Sequence, residues 1–254
     1  MNNRKEQLQA FERLLDIMDE LREKCPWDRK QTMETLRTLT IEEVYELSDA
    51  ILEKDSEEIK KELGDVFMHL VFYSKIASEK NTFDVSDVLN SVCDKLIHRH
   101  PHIYGDTQAD TEDEVLQNWE QIKLKEGNES VLSGVPTSLP AMVKAYRIQD
   151  KVKGVGFEFE NESQVFDKIQ EEILEFKNEE NPSDREMEFG DILFSMINYG
   201  RFIGINSEDA LERSNKKFIQ RFQKLEVLAK EKGLILGELN LNQLDDLWNL
   251  AKIR

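Results

Sequence analysis

The sequence predicts an all-α fold, and three observations support that prediction. Apolar residues recur at the three- and four-residue spacing of an amphipathic helix along most of the 254 residues, and no series of alternating apolar and polar residues indicates strands. The composition includes only 11 Gly and 5 Pro, the residues that interrupt helices. The chain also repeats itself, which indicates two copies of one helical unit.

The predicted helices are separated along the chain by residues that break helices. Pro26 ends the first helix, Asn81–Thr82 separates two later ones, and Pro101 marks a further boundary. The first part of the chain carries three apolar stripes: Leu8, Phe11, Leu14, Leu15 and Met18; then Ile41, Val44, Tyr45, Ser48, Ile51 and Leu52; then Ile59, Leu63, Val66, Phe67 and Leu70. Each stripe predicts one amphipathic helix with a buried face.

The two halves of the chain contain the same acidic segments in the same order. An E-E-x-x-E segment at 42–46 returns at 171–175, and E-L-G-D at 62–65 returns as E-F-G-D at 188–191, followed each time by an apolar run. Preserved order with small differences in loop length indicates a repeated unit. We therefore expect both halves to share one helical fold.

One stretch separates the two halves. Residues 127–140 (GNESVLSGVPTSLP) form the only long segment rich in Gly, Ser and Pro, a composition typical of linkers. A length of 254 residues suits two ordinary domains, each with its own core. We predict tandem domains at 1–126 and 141–254.

The negative net charge of the chain argues against nucleic acid and anionic membranes as partners. The chain has 34 Lys+Arg against 52 Asp+Glu, a net charge of −18, and so lacks a general attraction to nucleic acid or anionic membranes. A phosphate-bearing substrate would need a cation to bind. We expect neither nucleic acid nor a membrane as partner.

Three features favour a cytoplasmic protein. Cys25 and Cys93 are the only cysteines and form no C-x-x-C pair, which argues against the disulfide framework of a secreted protein. The first residues lack the apolar stretch of a signal peptide. The most apolar run, Val66 to Tyr73, is far shorter than the ~20 residues that span a bilayer. We expect localisation in the cytoplasm.

The acidic segments place carboxylates in pairs. Residues three apart share a helix face, so Glu43 with Glu46 and Glu62 with Asp65 each present two carboxylates side by side. The spacer between the pairs permits a turn and an antiparallel return, which lets the pairs face each other. Four such groups repel one another unless a cation lies among them. Oxygen ligands of this kind suit Mg²⁺ or Mn²⁺.

Two simpler explanations of these acids compete with a metal site. Glutamates often form the solvated face of a helix, and Glu43 is also spaced to complete a capping box that begins at Thr40. Asp65 and Asp191 argue against a solvated face, because each opens an apolar run, VFMHLVF or ILFSMI, that predicts a helix buried nearly all round. A carboxylate at such a place needs a partner. We therefore favour the metal site.

A basic helix and a tryptophan follow in the second half. Lys217 and Arg221 are four residues apart and share a face, where they either neutralise phosphate oxygens or form a solvated basic surface. Trp248 either stacks on a base or packs into the core. The residues themselves leave both pairs of alternatives open.

Two further motifs accompany the acidic repeat. Together with Cys25–Asp28 (CPWD) and His98–His102 (HRHPH), the repeat closely resembles the MazG family of nucleoside triphosphate pyrophosphohydrolases over nearly the whole chain. The resemblance implies two tandem MazG-like helical-bundle domains that dimerise through their own helices. It also implies Mg²⁺-dependent hydrolysis of NTP or dNTP to NMP or dNMP and diphosphate.

The same resemblance implies roles for individual residues, mainly in the second half. The implied metal ligands are Glu172, Glu175, Glu188 and Asp191, with Glu43, Glu46, Glu62 and Asp65 as a second, accessory set. The implied nucleotide contacts are Lys168, Glu171, Arg185, Lys217, Arg221 and Trp248. Arg185 partly replaces a lysine that the family often places shortly before Glu188. A motif glutamate free of metal would act as general base, and Glu171 and Glu172 are the candidates.

The apolar helices also bear on the partners of the chain. An apolar helix buried on all sides needs more cover than one hairpin supplies, which predicts a homodimer unless the two copies cover each other. The competing hypothesis is an acidic helical protein-interaction module without turnover. Such a module gives no reason for pairing acids with buried helices twice, so we favour the enzyme.

Overall fold

All regular structure in the described part of the chain is helical. The computed structural model describes residues 3–111, 114–115, 118–119, 122 and 130–252; ten α-helices and two short 3₁₀ helices can be traced there, and no strand occurs in them. The prediction of an all-α fold is confirmed. None of the helices in these residues is long and apolar enough to cross a membrane.

The chain divides into two compact units, Met1–Gln108 and Ala109–Arg254. The segment predicted as a linker, 127–140, belongs to the second unit in this division, and its first three residues lie outside the described residues. The domain limits at 1–126 and 141–254 remain predictions.

The first unit is built around a pair of antiparallel helices. Its elements are α1 (Arg4–Lys24), a 3₁₀ helix (Asp28–Lys30), α2 (Met33–Glu53), α3 (Ser56–Glu79), α4 (Val85–Arg99) and α5 (Pro101–Tyr104). Only Lys54 and Asp55 separate α2 from α3, and Lys54 adopts the left-handed conformation that ends a helix. The two helices therefore return along each other, and α1 packs on α3.

The start of α2 decides one of the competing explanations. The side chain of Thr32 caps α2, which begins at Met33. Thr40 consequently lies well inside the helix, where its hydroxyl donates to the Leu36 carbonyl at 2.9 Å. The capping-box explanation of Glu43 is therefore wrong.

The core of the first unit lies where α1, α2 and α3 meet. Its buried side chains are Met18, Leu36, Val71, Phe72 and Ile76. Burying an apolar side chain of this size contributes about 1.5–3 kcal/mol relative to leaving it exposed. This contact fixes α3, the helix that carries Glu62 and Asp65.

The second unit repeats the antiparallel pair. Its elements are α6 (Ala141–Lys153), α7 (Glu162–Asn178), α8 (Pro182–Phe202), α9 (Ser207–Glu231), a 3₁₀ helix (Leu236–Glu238) and α10 (Leu241–Lys252). Residues 179–181 connect α7 to α8, Asn181 caps α8, and Pro182 occupies its first turn. α6 packs on α8, and α9 packs on α10. The hairpin of α7 and α8 thus corresponds to that of α2 and α3.

α3 and α8 each leave an apolar stripe uncovered. The exposed side chains are Leu63, Phe67 and Leu70 on α3 and Phe189, Leu193 and Met196 on α8, at matching distances from Asp65 and Asp191. α1, α2 and α4 contact α3, and α6, α7 and α9 contact α8, yet these six side chains stay exposed. The expectation that both helices are buried nearly all round is therefore wrong for the chain by itself.

Candidate active site

Three carboxylates of the second unit converge between α7 and α8. An oxygen of Glu172 on α7 and oxygens of Glu188 and Asp191 on α8 all lie within 4.8 Å of one another. The antiparallel hairpin produces this arrangement, because residues three apart on α8 face the same turn of α7. A single divalent cation placed among these oxygens would contact several of them.

The first unit contains the same arrangement. Glu43 on α2 and Glu62 and Asp65 on α3 also bring carboxylate oxygens within 4.8 Å of one another. The structure thus joins three of the four acids implied as ligands in each unit. The fourth acids, Glu46 and Glu175, are exposed and lie outside these clusters.

The clusters include carboxylate oxygens that no protein group satisfies. Oε2 of Glu188 and Oε2 of Glu62, at equivalent positions in the two units, are buried without a hydrogen-bond partner. A buried, unpaired charged oxygen is costly unless a cation or proton compensates it. Hard oxygen donors suit Mg²⁺ or Mn²⁺, so the residues present fit such an ion.

One lysine in each unit partly neutralises the cluster. Lys168 Nζ lies 2.8 Å from Glu171 Oε1 and 2.7 Å from Glu172 Oε1, and these contacts raise the pKa of Lys168 above its usual value. In the first unit Lys61 Nζ lies 2.7 Å from Glu62 Oε1, which likewise raises the pKa of Lys61. One positive charge against three or more carboxylates leaves each cluster negative.

The repulsion that remains raises the pKa of individual acids in each cluster. Burial of its carboxylate, followed by repulsion from Glu175, Asp191 and Glu172, raises the pKa of Glu188 above the usual value. In the first unit, burial and the neighbouring acids raise the pKa of Glu43 in the same way. Both shifts have the direction expected where several carboxylates lie close together.

A cavity of about 510 Å³ adjoins the carboxylates of the second unit. Glu172, Asp191 and Lys168 form part of its wall, and the rest comes from α6, from the turn after α6 and from α8. The sequence reasoning missed the lining residues on α6 and on this turn. One local signal exists: Gly156 has φ = 87°, and a glycine at that place marks a tight turn.

A family model and a close relative match this chain. The model of the MazG nucleotide pyrophosphohydrolase domain matches residues 31–104, which include the acids of the first unit. The nucleoside triphosphate pyrophosphohydrolase/pyrophosphatase MazG of Thermotoga maritima is 42% identical over 247 residues, 95% of each chain. The chain belongs to the MazG family. The resemblance seen in the sequence motifs is confirmed.

Two further proteins are similar to this MazG-family chain. The nucleoside triphosphate pyrophosphohydrolase of Escherichia coli is 38% identical, and the match covers 96% of this chain and 98% of the relative. A mazG-related protein from Thermotoga maritima, known from a crystal structure, is 27% identical in sequence. The match covers 44% of this chain and 98% of that chain, with a TM-score of 0.40. That structural similarity is too low to carry an argument about the site.

The other nucleotide contacts implied by the MazG resemblance do not line the cavity. The guanidinium of Arg185 lies 4.8 Å from the ring centre of Phe176, near the connection of α7 and α8. Lys217 and Arg221 lie on α9. The Trp248 ring lies 5.0 Å from that of Phe218 and packs against the buried cluster between α9 and α10. Packing is therefore the observed role of Trp248 within the chain.

We predict that Glu188→Gln stabilises the MazG-family fold in the absence of divalent cations. The raised pKa of Glu188 means that its ionised form costs stability at neutral pH, and glutamine removes that charge. The gain should shrink as the pH falls toward about 4, because the wild-type acid is then protonated as well. Melting temperatures in a chelator between about pH 4 and pH 8 measure this effect.

Glu186→Gln, an exposed residue on the same helix, is the matched control and should melt like the wild type at every pH. A Glu188→Gln variant that melts below the wild type at neutral pH in the chelator would contradict the repulsion.

Proposed function

We propose that this chain is a Mg²⁺-dependent nucleoside triphosphate pyrophosphohydrolase that converts NTP or dNTP and water to NMP or dNMP and diphosphate. The observation that carries the proposal is the cluster of Glu172, Glu188 and Asp191, of which Glu172 and Asp191 line a cavity of about 510 Å³. The relatives named above, which match nearly the whole chain, support the same reaction.

Glu172, Glu188 and Asp191 would hold the Mg²⁺, with Mn²⁺ as a substitute, and the exposed Glu175 lies one turn beyond Glu172 to complete the set. When bound, the ion would neutralise phosphate charge and lower the pKa of a coordinated water. The negative charge of this chain makes such a cation necessary, because the cluster alone repels a triphosphate.

Lys168 and Glu171 would act beside the ion. Lys168 holds the buried Glu172 through an ion pair and so fixes the orientation of one ligand. Glu171 is exposed, shares Lys168 with Glu172, and lies outside the cluster of three carboxylates. We propose Glu171 as the general base, because Glu172 is committed to the cluster.

The second unit would perform the reaction, and the first would be accessory. Both units have three clustered acids, so the acids alone do not distinguish them. In the second unit a cavity borders Glu172 and Asp191 of the cluster, and the basic residues Lys217 and Arg221 lie on α9. Binding of a nucleoside triphosphate needs both the cation site and room for the organic part of the substrate.

We predict that Glu172→Ala and Asp191→Ala each abolish most diphosphate release. Removing one ligand of a catalytic metal raises the barrier by about 3–5 kcal/mol, or roughly a hundredfold to several thousandfold in rate. The matched variants Glu43→Ala and Asp65→Ala should keep most of the activity. The assay is diphosphate release from mixed NTPs with Mg²⁺, with folding checked by circular dichroism.

Three results of that assay would contradict the proposal. Orthophosphate as the only product would indicate another hydrolase, and no product from the wild type would favour a binding module. Equal losses from both pairs of variants would show two working sites instead of one.

We also propose that the protein is a cytoplasmic homodimer. The uncovered stripes on α3 and α8 expose large apolar side chains, such as Phe67, of which 53% is accessible. Contiguous apolar surface of this kind usually marks an interface. Helical bundles that lack a complete core gain it by association through these faces.

We expect light scattering at micromolar concentration to give twice the chain mass of 29.7 kDa. Phe67→Lys or Leu193→Lys should shift the protein toward monomer, because a charge would be buried in the interface. Leu8→Lys, at an exposed site on α1, is the matched control. A wild-type monomer at this concentration would remove the proposal.

A further inference from the structure

The cavity of the second unit extends from the carboxylates along α8. Its wall includes Glu172 and Asp191 and continues to Asn198 and Arg201. The turn after α6 closes one side, and the ion pair of Arg201 with Glu158, at 2.5 Å, holds this turn to α8. A molecule in the cavity can therefore extend from the carboxylates to Asn198 on α8.

The lining combines aromatic rings with one unsatisfied acceptor. Phe157, Phe159 and Phe194 contribute apolar surface. Gln149 on α6 is only 3% exposed, and its Nε2 donates to the Phe194 carbonyl at 2.8 Å. That bond fixes which end of the amide is the acceptor. Its Oε1 is buried without a partner.

An unpaired buried amide oxygen calls for a donor from a ligand. Nucleobases supply such donors: adenine, cytosine and guanine each carry an exocyclic amino group. Their flat faces also pack well against aromatic rings. A volume of about 510 Å³ lies within the range of roughly 300–1,000 Å³ that is common for small-molecule sites.

The first unit fills the corresponding place with bulky side chains. Ser195 and Asn198 stand four and seven residues after Asp191 and line the cavity. Four and seven residues after Asp65 stand His69 and Phe72, which are only 4% and 2% exposed.

These two side chains are fixed in the first unit. His69 Nδ1 lies 2.8 Å from the Thr40 hydroxyl. Phe72 packs with Met18 and Leu36 in the core. The small side chains at the equivalent positions of α8 are what leave the second unit open.

We propose that this cavity binds the base and sugar of the substrate, with Gln149 Oε1 accepting a hydrogen bond from a base N–H, and that the first unit lacks this pocket because His69 and Phe72 fill it. The inference rests on the proposed function and extends it. It places the nucleoside against α6 and α8 and the triphosphate at the carboxylates. It also gives a steric reason for one catalytic unit per chain.

The first test places the side chain of Phe72 at the equivalent position of the second unit, Asn198, and separately removes the acceptor of Gln149. Asn198→Phe should weaken binding of α,β-methylene ATP, measured by calorimetry with Mg²⁺, at least tenfold and should raise KM for NTP similarly. Gln149→Leu should weaken binding about fivefold to tenfold, as expected for one lost hydrogen bond. Asn90→Phe, the same change at an exposed site on α4, should bind like the wild type.

A second test uses the wild type, so it does not depend on folding of a variant. Azido-ATP, activated by light in the presence of Mg²⁺, should label the peptide that contains residues 154–159. Labelling confined to peptides that do not line the cavity, outside α6, residues 154–159 and α8, would overturn the pocket. So would Asn198→Phe and Gln149→Leu variants that fold and bind the methylene analogue like the wild type.

Failure of the inference differs from failure of the proposed function. Diphosphate release by the wild type, with KM unchanged in Asn198→Phe and Gln149→Leu, removes the pocket and keeps the enzyme. Analogue binding that depends on Asn198 and Gln149, without diphosphate release, keeps the pocket and removes the enzyme.

Discussion

Repulsion among carboxylates that a helical hairpin holds together is the constraint on which the site depends. Glu172, Glu188 and Asp191 lie on α7 and α8, whose packing on each other brings their oxygens within 4.8 Å. Lys168 compensates part of this charge, and a buried oxygen of Glu188 has no partner. The fold thus carries a local cost of the kind that is common where function and stability conflict, and a divalent cation bound as proposed would remove it.

The same acidic hairpin has different surroundings in the two units. Both units keep three clustered acids and one lysine paired with a buried glutamate. They differ in the side chains that follow the acids on α3 and α8. Phe72 completes a core in the first unit, whereas Asn198 borders a cavity in the second. A well-packed core stabilises a unit but leaves no room for a ligand, which agrees with the proposal that the second unit binds the substrate.

The features that depend on helix periodicity could be predicted from the sequence. The all-α fold and the convergence of Glu172 with Asp191 follow from residues three apart sharing a face and from a spacer that permits a return. The cavity could not be predicted, because Gln149 and Asn198 lie far apart in the sequence and meet only through the packing of α6 on α8. The apolar run after Asp65 predicted a helix buried nearly all round, yet Leu63 and Phe67 stay exposed, because an apolar run does not show which of its side chains the chain itself covers. Trp248 illustrates the same limit, since its packing against Phe218 depends on how α10 meets α9.

Direct measurement of cation binding tests the central claim most directly. Mn²⁺ titrated into the protein and followed by electron paramagnetic resonance should show saturable binding at millimolar concentration or below. Binding should fall in Glu188→Gln and disappear in the Glu62→Gln, Glu188→Gln double variant, because each change removes an oxygen that no protein group satisfies. Saturable Mn²⁺ binding that persists unchanged in the double variant, or no saturable binding by the wild type, would contradict the account.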